Sequence, residues 1–145
     1  MQFIHLHNHT HYSLLDGATT VETLIKAALE QKMPAVAMTD HGVMFGALEF
    51  YRKAVKYGVK PIIGCEAYVV TKGSRRDRGV DAERMNKGQG RGIYNHIILL
   101  AKDEAGYKNL MKLCTAAHTE GFYFKPRIDL ELLRKYCGGL VATSA

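Results

Sequence analysis

PIIGCEAYVV, residues 61 to 70, is a ten-residue run that is apolar except for one acid. It is preceded by Gly58 and followed by a segment rich in Lys, Arg and Gly. Its length and its Ile and Val content predict a strand lying in the interior of a sheet. Glu66 sits in the middle of it, where an unpaired carboxylate is costly, so it needs a cation, a metal, a hydrogen-bond donor or water. Gly64 just before it leaves room for something to approach the backbone closely.

The pattern extends in both directions. Upstream, Ala47, Leu48, Tyr51, Ala54 and Val55 fall at helical spacing and Gly58 closes that helix. Before it, AVAMT (35–39) reads as a buried strand, preceded by Pro34 and by a helix carrying Val21, Leu24, Ile25, Ala28 and Leu29. Thr19 with Glu22 forms a capping-box signature for that helix. Phe3, Ile4 and Leu6 predict a first strand over 3–7. Downstream come HIILLA (96–101), a helix marked by Leu110, Leu113, Cys114 and Ala117, then FYFKPRI, a short helix over Asp129–Tyr136, and LVATS (140–144). Alternating β and α units predict an α/β fold, a mostly parallel sheet or barrel with helices outside. A β/α barrel takes about 250 residues, so a chain of this size that stops on a strand reads as about half of one, an excised fragment.

Hydrophobic residues make up 47% of the 145, enough for one domain with a real core. No run approaches the roughly 20 apolar residues of a membrane helix, and a soluble, cytoplasmic protein is expected. Cys65, Cys114 and Cys137 contain no C-x-x-C and read as buried small hydrophobes. The net charge of +6 favours an anionic partner such as nucleic acid. Part of it is local: Lys72, Arg75, Arg76, Arg78, Arg84, Lys87 and Arg91 face only Asp77, Asp81 and Glu83. The Gly-rich segment 72–93 therefore reads as a long mobile loop, either merely solvated or in contact with phosphates.

FIHLHNHTHYSLLDG (3–17) places His5, His7, His9 and His11 at every second position. Along an extended chain alternate side chains share a face, and two imidazoles so placed can reach one metal ion or two adjacent ones. Surface or core histidines would give the same spacing. TDHG (39–42) puts Asp40 and His41 at the C-terminal end of a strand, where parallel barrels build their sites, although Asp and Gly are also plain turn residues. Asp16 closes the first loop with another carboxylate. Mixed imidazole and carboxylate donors suit zinc, manganese or iron better than magnesium or calcium, and several β units contribute them, so a multi-metal hydrolytic centre is expected.

HLHNHTHYSLLDG, AMTDHGVMFGALEFYRKAVKYGVKPIIGCEAYV, NHIILLAKDEAGYKNL and EGFYFKPRIDLELL resemble the polymerase and histidinol phosphatase (PHP) family along nearly the whole chain. The connecting text, above all GVKPIIGCEAYV and LLAKDEAGYKNL, is similar to the N-terminal PHP domain of bacterial replicative DNA polymerases. The resemblance implies a distorted (β/α)7 barrel, of which this chain is an N-terminal part, with up to three metals at its mouth. His7, His9, Asp16, His41 and Glu66 would be ligands, and His96 another. His96 precedes its strand, so either that strand runs the other way or His96 is structural. His5 would support the ligands from behind, His11 would face solvent, and His118 would be a surface or packing residue. Further ligands would lie past residue 145, leaving the set here incomplete.

The activity implied is metal-dependent phosphoester hydrolysis, as 3′–5′ exonuclease proofreading beside a DNA-directed DNA polymerase. Asp40 would orient His41 or a water, and the arginines and lysines of 75–91 would meet the backbone of a DNA primer-template. The partners implied are the remaining polymerase domains, a proofreading subunit and other replisome subunits. The alternative is a non-catalytic scaffold that stabilises the polymerase or docks a proofreading subunit.

Overall fold

The structure is a computed structural model that describes residues 3–14, 16–78 and 94–145. In chain order the elements are α1 (Val21–Glu30), β1 (Ala35–Met38), α2 (Ala47–Tyr57), β2 (Lys60–Val70), β3 (Asn95–Ala101), α3 (Glu104–Thr119), β4 (Phe122–Tyr123), β5 (Lys125–Asp129), α4 (Leu130–Lys135) and β6 (Leu140–Ser144). The fold is α/β, as the alternation predicts. Among the described residues no helix is long and apolar enough to cross a membrane.

β2 is the spine of the sheet. Along one edge it pairs in parallel first with β1 (Ala35 opposite Lys60 to Met38 opposite Ile63) and then with β5 (Tyr68 opposite Arg127 to Val70 opposite Asp129). Along the other edge it pairs with β3, and β3 with β6, both antiparallel. β1, β2, β5 and β6 therefore share a direction, while β3 is reversed and two-residue β4 forms a hairpin with β5. Four of the six strands thus run one way, and β3 is the exception on the central path of the sheet. Parallel neighbours need a crossover, usually a helix, and the 71–94 connection carries no helical pattern.

Two helical layers cover the sheet. Val21, Ile25, Ala28, Phe50 and Ala54 of α1 and α2 pack with Val36 and Met38 of β1. Leu110, Leu113, Ala116 and Ala117 of α3 pack with Cys65, Ala67, Leu99 and Ile128. Cys65 is buried as expected, but Cys137 is exposed. The cap of α1 falls one residue later than the capping-box reading. Thr20 accepts from Thr23 N, and Glu22 turns away to Lys26, Lys53 and the Tyr57 hydroxyl. Gly58 ends α2 in the left-handed conformation at φ +75°, as predicted.

Residues 3–7 do not form a strand. Ala37 N donates to His5 O (3.0 Å) and Thr39 N to Asn8 O (2.9 Å), so two residues of β1 span three of the N-terminal segment. Such an extra residue breaks a ladder as a bulge does. Asn8 fills the gap, its side-chain amide donating to His5 O and Ala37 O and its backbone N–H to Thr39 Oγ1.

Candidate metal centre

The break at Asn8 also breaks the row of histidines. His5 turns its ring edge-on to Phe3 and is exposed, so it holds β1 through its carbonyl and does not back the ligands with its ring. His11 is exposed beside Tyr12, as expected. Only His7 and His9 converge, with their Nε2 atoms 2.9 Å apart.

They converge on Glu66. The end of β1 continues along β2, with Glu66 N donating to Asp40 O and Gly42 N to Glu66 O, which sets His41 beside Glu66 in a parallel bridge. Gly42 then turns the chain away at φ +64°, where an added Cβ would stand 2.5 Å from Pro126 Cγ, so the glycine of TDHG is required by space as well as by conformation. Glu66, only 3% exposed, has Oε2 at 2.7 Å from His7 Nε2, 3.0 Å from His9 Nε2 and 3.5 Å from His41 Nδ1. Its other oxygen meets His96 Nδ1.

The reversal of β3 explains how His96 arrives. Ile98 lies opposite Glu66 and His96 opposite Tyr68, so an imidazole at the start of its own strand reaches the same end of the sheet as residues at the ends of theirs. The Tyr68 and His96 rings lie edge to face with centroids 4.9 Å apart. Asp16 completes the group through a short contact of its Oδ2 with His41 Nε2.

Burial pushes the Glu66 carboxyl up, but hydrogen bonds from His96 and His7 and the nearby His41 outweigh it and hold the group below the usual carboxylate range. Asp16 is held low by its hydrogen bond to His41. His9 is pushed down by burial and then by His41, which favours the neutral ring that a metal needs. Burial, with the Glu66 charge behind it, raises Tyr68 to about 12.

These donors fit a metal cluster. His7, His9 and Glu66, then His9, Asp16 and His41, then His41, Glu66 and His96 form three overlapping triads, each with its ligand atoms within 4.8 Å of one another. Tetrahedral zinc with bonds of about 2.0 Å has ligand–ligand edges of about 3.3 Å, and the His7–His9–Glu66 edges of 2.7, 2.9 and 3.0 Å are all somewhat shorter, so a small opening of the triad would admit the ion. His41 Nδ1 is buried with no hydrogen-bond partner, Glu66 Oε2 standing 3.5 Å away, an arrangement a cation between them would resolve.

Asp40 does not touch this cluster. It is fully buried: Oδ1 accepts from Thr10 N (2.6 Å) and Ser13 Oγ (2.8 Å), and Oδ2 from Thr10 Oγ1 (2.8 Å). A carboxylate so saturated organises the first loop, and any orienting of His41 by Asp40 runs through an intermediate hydroxyl instead of a direct contact. The link is Ser13, whose hydroxyl donates to Asp40, accepts from His41 N (3.0 Å) and lies 3.3 Å from His9 Nδ1. With its one proton given to Asp40, Ser13 can only accept from His9, which places the His9 proton on Nδ1 and leaves Nε2 a lone pair for a metal. Ser13 and Thr10 escape sequence reading, since a hydroxyl in a turn carries no signal of its own. His118, expected at the surface or in packing, places Nε2 3.0 Å from Gly42 O.

The nucleic-acid contacts expected of the basic segment are corrected at Arg75. Its side chain is 11% exposed and is held by Asp129 (2.9 Å) and Glu120 (2.6 Å). Arg76 is 65% exposed but also pairs with Glu120, and Arg78 is exposed. Arg84, Lys87 and Arg91 lie outside the described residues.

The PHP domain family model matches residues 5–145. The DNA polymerase III subunit alpha of Aquifex aeolicus is 54% identical over 99% of this chain, and that of Thermus aquaticus 53% identical over 99%. The chain spans 12% and 11% of the length of these two curated relatives. Among solved structures, a Bifidobacterium adolescentis protein provisionally named a metal-dependent phosphoesterase superposes with a TM-score of 0.50 at 21% identity. The match covers 79% of this chain and 34% of that one, a likeness of fold.

Proposed function

Because this chain belongs to the PHP domain family, we propose that its cluster is a multi-metal phosphoesterase site serving a replicative DNA polymerase subunit, where it removes nucleotides from the 3′ end of a primer. The observation that carries this reading is the sharing of donors: His9, His41 and Glu66 each belong to two triads, so ions held there would sit side by side rather than in isolated sites. When bound, divalent ions in such a cluster lower the pKa of water toward about 7 and neutralise phosphate charge. Zinc, manganese and iron all suit these donors.

The protein's own groups do the holding. Glu66, ionised and nearly buried, offers one oxygen toward His7 and His9 and the other toward His96. Asp16, exposed at the rim and ionised, adds negative charge on the side where solvent and substrate enter. Asp40 keeps the loop closed through Thr10 and Ser13, so that His9 keeps its angle and its tautomer.

In this reading the polymerase activity, the primer-template and the other replisome subunits belong to the longer protein of which this chain matches a part. The test uses the full-length subunit. With manganese or zinc, a 5′-labelled primer should shorten from its 3′ end, and His7→Ala/His9→Ala should abolish shortening and bound metal together while polymerisation persists. Shortening that survives the double substitution would place the activity elsewhere.

A further inference from the structure

The turn that presents His41 is tied from three sides. Gly42 N donates to Glu66 O on β2 (2.8 Å), and His41 N donates to Ser13 Oγ in the first loop (3.0 Å). The third tie comes from the other helical layer. His118, in the last turn of α3, places Nε2 3.0 Å from the carbonyl oxygen of Gly42. A carbonyl can only accept, so the His118 proton on this side sits on Nε2. Among the described residues no other group donates to that oxygen.

Gly42 is where such a tie has most effect. It is buried and left-handed at φ +64°, and glycine has more backbone freedom to lose than any other residue. A buried carbonyl without a donor is costly, so without His118 the turn would gain by swinging that oxygen toward water. The donor itself stands on a fixed element. Leu113, Ala116 and Ala117 bury one face of α3 among Cys65, Leu99 and Ile128, so the helix does not follow a drifting turn. His118 thus anchors to the sheet's second layer a residue that directly follows a metal donor.

The consequence is selective. His41 belongs to two of the three triads, one with His9 and Asp16 and one with Glu66 and His96, while the triad of His7, His9 and Glu66 does without it. Resting on the metal reading of the cluster above and not on hydrolysis, we propose that His118 is a positioning residue for His41. Its N–H locks Gly42, and the locked turn presents the His41 ring to two of the three ion positions before any ion arrives. The position held by His7, His9 and Glu66 is independent of it.

The test compares the wild-type full-length subunit with His118→Leu, which cannot donate, and His118→Gln, whose side-chain amide can place an N–H near the position of Nε2. The first readout is metal-free. Backbone hydrogen exchange in peptides covering 39–45 should be about 10-fold faster in His118→Leu, in line with the loss of one hydrogen bond, and should return toward the wild-type rate in His118→Gln. The second is equilibrium dialysis against zinc or manganese. His118→Leu should weaken the ions that need His41 about 10-fold and leave the remaining binding unchanged, and His118→Gln should restore the wild-type isotherm. Exchange that is equal in all three proteins would overturn the clamp whatever the metal content. Faster exchange with an unchanged isotherm would overturn the positioning of His41. Equal weakening of every ion with a lower unfolding temperature, not repaired by glutamine, would make His118 a packing residue, and the proposal would fall. Faster exchange in His118→Leu when the wild type binds no metal would uphold the clamp and overturn the metal reading instead.

Discussion

Two clusters of charged and polar side chains flank the C-terminal half of β2, and they are built on opposite rules. Around Asp129 every group has its complement. Arg75 donates to Asp129 and Glu120, and the Asp129 carboxylate also accepts from the backbone of Arg75 and Leu132. Arg127, 1% exposed, reaches the carbonyls of Gly121, Arg75 and Asp77. Around Glu66 the match is incomplete: His7 and His96 meet its two oxygens, yet more ring nitrogens converge than the carboxylates can pair. Four imidazoles and two carboxylates converge, nitrogen approaches nitrogen, and His41 Nδ1 is left without a partner. The first cluster is satisfied by its own protons. The second leaves ring nitrogens that its own protons do not pair, and that difference separates a structural knot from a candidate site.

The comparison breaks if the knot proves dispensable. Arg127→Ala removes the guanidinium from three carbonyls, of which only Gly121 O keeps a donor in the backbone N–H of residue 127, and should lower the unfolding free energy by about 3 to 5 kcal/mol in urea titration. A loss under 1 kcal/mol would mean that water replaces the guanidinium freely.

Next in size is the response to chelation. At free metal 100-fold above Kd the ions should add about 2.7 kcal/mol to stability. A chelator should remove that from the wild type and nothing from Glu66→Ala, while Arg75→Ala should keep the full response. Equal chelator sensitivity in Glu66→Ala would place the metal elsewhere.

Ser13→Ala probes the support of the second cluster. It should weaken metal affinity about 10- to 100-fold, the usual cost of losing an outer partner of a ligand. In the metal-free protein, nitrogen NMR of His9 should change from an Nδ1–H ring to a mixture of tautomers. Unchanged tautomer and affinity would show that the hydroxyl is incidental.

The smallest effect is in the pH dependence of the metal-free protein, which should show the two clusters in separate windows. His9, pushed below its ordinary value of about 6.5, contributes stability that is present above that value and lost as pH falls through its folded pKa. For Asp129 burial pushes up, but the Arg75 and Leu132 hydrogen bonds prevail and hold it low. Its contribution is present above about 3.9 and lost only as pH falls further. Urea midpoints between pH 7 and 3 should therefore decline in two stages, and His9→Ala should remove the upper one alone.

How far these clusters could be read from the sequence depended on whether a signal was local. AVAMT and PIIGCEAYVV announced themselves as strands because burial on both faces demands unbroken apolar text, and β1 and β2 lie there. Gly58 marked the end of α2 because only a left-handed residue ends it so. Glu66 stood out through its cost. The His-x-His spacing brought His7 and His9 together, but an alternation rule extended to His5 failed at Asn8, whose side chain takes the place of a ladder bond. The direction of β3, and with it the placement of His96, was not in the spacing, although the lack of a helical pattern between β2 and β3 hinted at it. Arg75 looked like a free cation because its partners Glu120 and Asp129 are more than 40 residues away. Ser13 could be found only once the loop had closed on Asp40.

The most direct measurement is the divalent metal content of the full-length subunit after dialysis, for the wild type and for Glu66→Ala. The three overlapping triads require more than one equivalent of zinc, manganese or iron per chain in the wild type, and a loss of more than one equivalent when the shared carboxylate is removed. A wild type without metal, or a Glu66→Ala chain that retains it all, would contradict the claim that these six side chains form a metal centre.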